Sequence, residues 1–192
     1  MEHVIRAVRA DEWPQVKELR LAALLDPAAP VAFLETYDDA CPKPDVFWQG
    51  RTAQAAQGVV QRQFVAEGAD GTWGGTVVVL IEEPGALDFF GRPVIRRQAQ
   101  LVGVFVRAEH RGTGLTEALF DAALEWAWSV DGIERVRLFV HQDNGRAEGF
   151  YRKVGFVPTG VTVMEPAGPG RHELYDHELV IDRPAIDRPT RD

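Results

Sequence analysis

Trp13, Val16, Leu19 and Ala23 recur at helical spacing, and this apolar stripe predicts a helix capped by Asp11 that runs to about Leu25, with Pro14 tolerated in its first turn. Ahead of it, His3–Val8 reads as a strand. After it, Asp26–Pro44 is rich in Pro, Asp and Ala and reads as an irregular crossing, and a second helix is expected from Asp45 to about Gln57. The pattern then changes to that of strands, with Phe64–Glu67 and Thr72–Glu82 flanking Ala-Asp-Gly as a hairpin. Glu83–Arg97 carries Pro84, Gly85, Gly91 and Pro93 and is expected to be a long loop exposing Leu87, Phe89 and Phe90. A strand-like run from Leu101 breaks at a basic, Gly-rich turn. An amphipathic helix follows over Leu115–Ser129, and Arg135–His141 alternates as another strand. A short helix with Asn144 as N-cap and Gly155 at C′ precedes two final strands, Pro158–Met164 and Glu173–Ile181. The end repeats Ile-Asp-Arg-Pro at 181–184 and 186–189; residues 183–192 read as a disordered tail behind a single domain over 1–182.

The turn before the amphipathic helix reads Arg111-Gly112-Thr113-Gly114-Leu115-Thr116. Gly112 and Gly114 let the backbone bend sharply and lie close to a ligand. The first-turn N–H groups of the helix lack intrahelical partners, and the macrodipole adds partial positive charge there. A phosphate or pyrophosphate fits such a place, although two glycines equally serve a tight strand-to-helix connection. Two nucleotide folds drop out on spacing. The dinucleotide fingerprint wants a small residue where Glu117 stands, and Gly-Lys-Ser/Thr occurs nowhere in the chain.

Arg111–Thr116 resembles the Arg/Gln-x-x-Gly-x-Gly/Ala signature of the GNAT superfamily of N-acetyltransferases, with Thr116 in place of Gly or Ala. Further on, Asn144-x-x-Ala147-x-x-Phe150-Tyr151-x-Lys153-x-Gly155-Phe156 resembles the second signature of the same superfamily. Asn144 is the only asparagine in the chain, so its arrival at the position the pattern asks for is not an effect of composition. The resemblance implies an α/β (α+β) fold: a mixed, mostly antiparallel central sheet of about seven strands, flanked by about four helices, with the fourth and fifth strands splayed apart.

It also implies a chemistry. Acetyl-coenzyme A is the acyl donor, its pantetheine arm paired with the fourth strand at Val104, Phe105 and Val106 and its pyrophosphate on Arg111, Gly112, Thr113, Gly114, Leu115 and Thr116. An extended amide chain can add to an open strand edge, which makes the mapping physically coherent. Tyr151 is then the general acid for the departing thiolate, and Asn144 a polar contact to the pantetheine or to an ordered water. The implied activity is direct transfer of acetyl to an amine, on a small molecule or on a protein or peptide, through a ternary complex. The alternative is a noncatalytic module that binds and senses acyl-coenzyme A.

The general base is open. Relatives often carry Glu early in the fourth strand, where this chain reads Arg97-Gln98-Ala99-Gln100, so Glu82 at the end of the third strand is the candidate, with His141 as a second. No covalent intermediate is expected. The only serine, Ser129, lacks a Gly-x-Ser-x-Gly setting, and Cys41 lies in an acidic, Pro-rich loop. Glu35, Tyr37, Asp38 and Asp39 lie in the crossing that family members place over the acceptor; they suit a cationic amine, or form a solvated acidic loop. His172 and His177 are five residues apart, the wrong spacing for a zinc helix, and no metal is expected.

Composition adds bounds. The 192 residues, 45% hydrophobic, can bury one sizeable core, and the formal charge of −8 argues against a sequence-independent nucleic-acid partner. No run of apolar residues is long enough to span a membrane. The start lacks the basic and apolar stretches of a secretory signal, and one cysteine forms no internal disulfide; a cytoplasmic location is expected. A homodimer stays open.

Overall fold

The computed structural model describes residues 3–164 and 175–185. Seven strands form one sheet: β1 (His3–Ala7), β2 (Gln61–Gly68), β3 (Trp73–Glu82), β4 (Gln98–Val106), β5 (Arg135–His141), β6 (Val157–Met164) and β7 (Tyr175–Asp182). Their spatial order is β1-β2-β3-β4-β5-β7-β6, and every neighbouring pair is antiparallel except β4 and β5. The helices are α1 (Trp13–Leu24), α2 (Tyr37–Ala40), α3 (Asp45–Gln57), α4 (Leu115–Ser129) and α5 (Gly145–Lys153). This is the mixed, mostly antiparallel sheet expected from the sequence.

The central strands of the sheet are buried on both faces because they alternate between two cores, whereas the edge strand β6 is largely exposed. On β2, Phe64 and Ala66 join the side covered by α4, whose Leu119, Phe120, Ala123 and Ala127 form its buried stripe, while Val65 points to α1 and α3 and meets Leu19 and Trp48. Helix α4 therefore needs no strong intrinsic propensity. Its apolar face is held by the sheet.

Strands β4 and β5 pair only at Ala99 with Val136 and at Gln100 with Arg137, then diverge. The register explains the parting. Thr76 faces Phe105 but Val78 faces Val102, so Gly103 and Val104 stand opposite the single residue Val77. This is a bulge, and Gly103 occupies it at φ +61°, in the left-handed region that favours glycine. Meanwhile β5 stays paired with β7 from Arg135 to His141. One strand bends and its neighbour does not, which opens a V.

The closed end of that V is clamped by charge. Arg137 on β5 donates to both oxygens of Glu82 on β3, from Nε and from Nη2, each at 2.7 Å, and Gln98 on β4 donates to Glu82 at 3.0 Å. Asp88 and Glu178 complete the cluster at 3.2 and 3.1 Å from Arg137. Burial pushes the Asp88 carboxyl up, but the N–H groups of Arg92 and Phe90 and the Arg92 charge outweigh it and hold the carboxyl below the usual range.

Three local expectations differ. Asp11 does not cap α1, which starts after Glu12 with no side-chain cap; the Glu12 carboxylate instead accepts from the Arg9 N–H at 2.7 Å and from Arg6 at 2.6 and 2.9 Å. The crossing contains a 3-10 turn at Ala29–Val31 and the four-residue α2, nucleated by a capping box between Thr36 and Asp39, which makes five helices where about four were expected. The Glu83–Arg97 loop leaves Leu87 and Phe89 exposed, but Phe90 is half-buried against Phe139, with ring centres 4.9 Å apart. Glu173, His172 and residues 186–192 of the expected tail lie outside the described residues.

Candidate active site in the cleft between the diverging strands

Where β4 and β5 part, a cleft of about 350 Å³ opens, roofed by the crossing from Asp26 to Leu34 and closed on one side by α5. Its β4 wall is Val104, Phe105 and Val106, its β5 wall Phe139, Val140 and His141. Beyond Gln100 the backbone edge of β4 that faces β5 has no strand partner, so peptide groups stand free to pair with an extended ligand.

The N-terminal turns of α4 and α5 both reach this cleft, through Thr116 and Glu117 in one and Asn144, Arg146 and Ala147 in the other. Gly112 and Gly114 have φ +75° and +88°, and Gly114 is the N-cap of α4. A Cβ placed on either glycine would meet no protein atom within 4 Å, so the backbone here borders open space. Arg111 and Gly112 line the cleft, as does Thr116, whereas Thr113, Gly114 and Leu115 do not. The Thr113 hydroxyl donates to the His110 carbonyl at 2.7 Å, and the Leu115 side chain is buried in the core, which leaves those residues their backbone N–H groups for a ligand.

Arg111 is already engaged. Its Nε donates to the Val106 carbonyl at 2.9 Å, and its guanidinium pairs with Asp26. Burial raises the Asp26 carboxyl, yet the Ala28 N–H and Arg111 bring it below the usual carboxylate range. Sequence reasoning missed Asp26 and also Arg146, a second cation on the cleft wall. A signal for Arg146 was present: a basic residue in the first turn of a helix opposes the macrodipole and calls for an anion nearby.

Helix α5 positions the two residues singled out in the second motif. Asn144 is its N-cap, accepting from the Ala147 N–H at 3.2 Å, while its Nδ2 donates to the Val31 carbonyl of the crossing at 3.1 Å. At the other end, the Phe156 N–H donates to the Tyr151 carbonyl at 2.9 Å and the Gly155 N–H to Arg152 at 3.1 Å, with Gly155 at φ +102°. That Schellman ending fixes Tyr151 one turn before the stop. The Tyr151 ring stacks on Phe120, centres 5.6 Å apart and 28° between planes, and lines the cleft. No residue among those described hydrogen-bonds its hydroxyl, and burial pushes its pKa up to about 12. It is a neutral donor in the physiological range.

The two base candidates fare differently from that phenol. Glu82 is not among the residues that line the cleft; both of its oxygens belong to the Arg137 clamp. His141 does line it, buried, with Nδ1 accepting from the Asp143 N–H at 3.0 Å and Nε2 without a partner among the described residues. A neutral ring so held carries its proton on Nε2 and has no lone pair for an amine. Of the acidic crossing, Glu35 is paired with Arg20 and Lys43 and Asp39 with Thr36, and neither these two nor Tyr37 and Asp38 line the cleft. Among the described residues no cluster of His, Cys, Asp and Glu is arranged to hold a metal ion, and no helix is long and apolar enough to cross a membrane.

Comparison with known proteins follows the same segments. The acetyltransferase (GNAT) family model matches residues 32–156. A Bacillus subtilis protein named putative ribosomal protein bS18-alanine N-acetyltransferase is 33% identical over 84 residues, 43% of this chain and 55% of that one. Spermidine N(1)-acetyltransferase of Vibrio cholerae is 29% identical over 94 residues, 49% of this chain and 54% of its own. The chain thus spans about half the length of the curated relatives it matches. Among solved structures, a GNAT-family acetyltransferase of Streptococcus pneumoniae superposes with TM-score 0.74 at 18% identity, covering 95% of this chain and 100% of that one. A phosphinothricin acetyltransferase of Sinorhizobium meliloti, in complex with acetyl-coenzyme A, gives 0.70 at 15% identity, covering 95% and 89%. At such identities the structural likeness speaks for the fold alone. The family model, however, spans most of the chain, from the crossing through both glycine-bearing motifs, and the chain belongs to the GNAT family of acetyltransferases.

Proposed function

We propose that the protein is an N-acetyltransferase, built as one domain over residues 1–182, that moves the acetyl group of acetyl-coenzyme A directly to an amine. The observation that carries this reading is the meeting, in one cleft, of an unpaired β4 edge and the N-terminal turn of α4. A ligand with an extended amide arm and a pyrophosphate at one end matches both. The arm pairs with backbone groups of Val104, Phe105 and Val106. The pyrophosphate takes the N–H groups of Gly112 to Thr116, with Arg111 and Arg146 as counter-charges. The Thr116 hydroxyl, which has no hydrogen bond among the described residues, adds a donor where the family usually has Gly or Ala.

In the transfer, the amine nitrogen bonds to the thioester carbon, the carbon–sulfur bond breaks, and the sulfur leaves as a thiolate that takes a proton. Tyr151 is the donor suited to that last step, since its hydroxyl is unengaged and its proton is retained to about pH 12. A backbone N–H of β4 at Val106 or next to it faces the developing oxyanion. Asn144 holds the N-terminus of α5 and contacts the pantetheine arm. Glu82 serves the clamp, so the amine loses its proton to water or to a group not yet identified. The acceptor is an amine that is cationic in water; spermidine, the substrate in the name of the Vibrio relative, is of that kind.

Calorimetric titration with acetyl-coenzyme A tests the cleft. The wild type should bind one equivalent, and Gly112→Val, which strains a positive φ and projects a side chain into the open space, should weaken binding by at least about tenfold. Equal affinity of the two proteins would move the ligand out of this cleft.

A further inference from the structure

A second, smaller cavity of about 20 Å³ lies beside the β4 bulge, on the face of the sheet covered by α1 and α3. Gly103 borders it, and the next residue, Val104, borders the main cleft. Arg20 joins the two spaces, lining the cavity while its guanidinium lies 4.5 Å from the ring centre of Phe33, which lines the cleft.

The charges around this cavity do not balance. Arg20 and Lys43 share one carboxylate, Glu35, and Arg51 of α3 has none: among the described residues its guanidinium makes no ion pair and no hydrogen bond, although it is half-buried. Burial and the neighbouring Arg20 depress its pKa, and Glu35, already shared by Arg20 and Lys43, only partly offsets them. Beside it, the indole Nε1 of Trp48, a residue with no exposure, has no acceptor either. The other polar groups on the wall are satisfied, with Gln63 donating to Thr76 at 3.0 Å and Thr76 to the Phe64 carbonyl at 2.8 Å. Both residues line a space that holds one small group, one bringing an unpaired cation and the other a buried indole donor without an acceptor. A buried donor is rarely left unmade without a reason.

We infer that Arg51, with Trp48, forms an anion subsite for a carboxylate carried by the acceptor, so that the acceptor is a cationic amine that also bears a carboxylate. The inference rests on the acetyl-transfer reading for the identity of the other end of that molecule. The carboxylate enters beside the Gly103 bulge, where an added side chain would be strained by the positive φ, and its amine reaches past Val104 into the cleft. A bidentate guanidinium–carboxylate contact is the natural form of this recognition, and the cavity has room for that group and little more.

Binding without turnover separates this proposal from the transfer reading. Glycine, β-alanine, phenylalanine and glycylglycine, each paired with its methyl ester, are titrated calorimetrically into the protein saturated with free coenzyme A, which cannot transfer acetyl. At least one acid should bind about tenfold or more tightly than its ester, and Arg51→Gln should cut that ratio below about threefold. Arg51→Met, which keeps the stem against the apolar wall, replaces the glutamine variant if thermal unfolding shows the latter to be unfolded. Acids and esters binding alike, or an Arg51 variant weakening both members of a pair equally, would overturn the subsite. Absence of thiol release from acetyl-coenzyme A with every amine would instead count against the transfer reading, whatever the ratio of affinities.

Discussion

Asn144 donates from Nδ2 to the carbonyl oxygen of Val31 at 3.1 Å, across 113 positions of sequence. One side chain therefore caps α5 and ties it to the roof of the cleft. Asn144→Ala removes both bonds and should cost about 1–2 kcal/mol in urea unfolding. Asn144→Asp keeps the cap acceptor but loses the donor to Val31, and should recover about half of that loss. Equal stability of wild type and Asn144→Ala would show that the cap is not needed.

The second motif was legible because its parts are local. Asn144, Tyr151 and Gly155 lie within one helix and its ends, and N-cap and C′ chemistry read directly from residue type. Helix α4 was legible from its apolar stripe for the same reason. What escaped the sequence was pairing at a distance. Asp26 meets Arg111 across 85 positions, and Arg137 meets Glu82 across 55. A carboxylate at the end of a strand reads alike whether it faces a cleft or an arginine, so the sequence offers Glu82 as a candidate base and only the fold shows it on Arg137. The acids of the crossing are similar: they are visible in sequence and leave both readings open, whereas the pairing of Glu35 with Arg20 of α1 and with Lys43 appears only in the fold.

Asp26 competes with any anion for Arg111. Asp26→Asn should release the guanidinium and tighten acetyl-coenzyme A binding by about threefold to tenfold, most clearly at low salt. Unchanged or weaker binding in calorimetry would show that Asp26 positions Arg111 for the coenzyme instead.

Glu82→Gln leaves Arg137 buried with one partner weakened, although Asp88 and Glu178 remain. A loss of about 3 kcal/mol in stability is expected. The pH profile of acetyl transfer should keep its shape. Disappearance of a titrating limb from that profile in a folded variant would restore Glu82 as the base.

Glu12, Glu35 and Asp88 are each pushed up by burial but brought below their ordinary values of 4.5, 4.5 and 3.8 by the cations and N–H groups around them. A depressed folded-state pKa gives stability that is present above the unfolded value and lost as pH falls through the folded one. The urea midpoint should hold from neutrality down to about pH 4.5 and fall below it. A decline already complete by pH 6 would point to histidine instead.

The Tyr151 hydroxyl has no protein partner to lose among the described residues, so Tyr151→Phe should change stability by less than about 1 kcal/mol. As the thiolate's proton donor it should matter to turnover far more, with kcat down about a hundredfold and acetyl-coenzyme A affinity little changed. A fall of less than about threefold at every pH would remove Tyr151 from that role.

Release of free thiol from acetyl-coenzyme A, followed over a panel of amines with the acetylated product identified by mass spectrometry, tests the account most directly. The cleft predicts amine-dependent release by the wild type, one acetylated amine per thiol, and its near-loss in Tyr151→Phe. Tight binding of acetyl-coenzyme A with no amine-dependent release from any member of the panel would contradict it, and would leave a module that binds the coenzyme without turning it over.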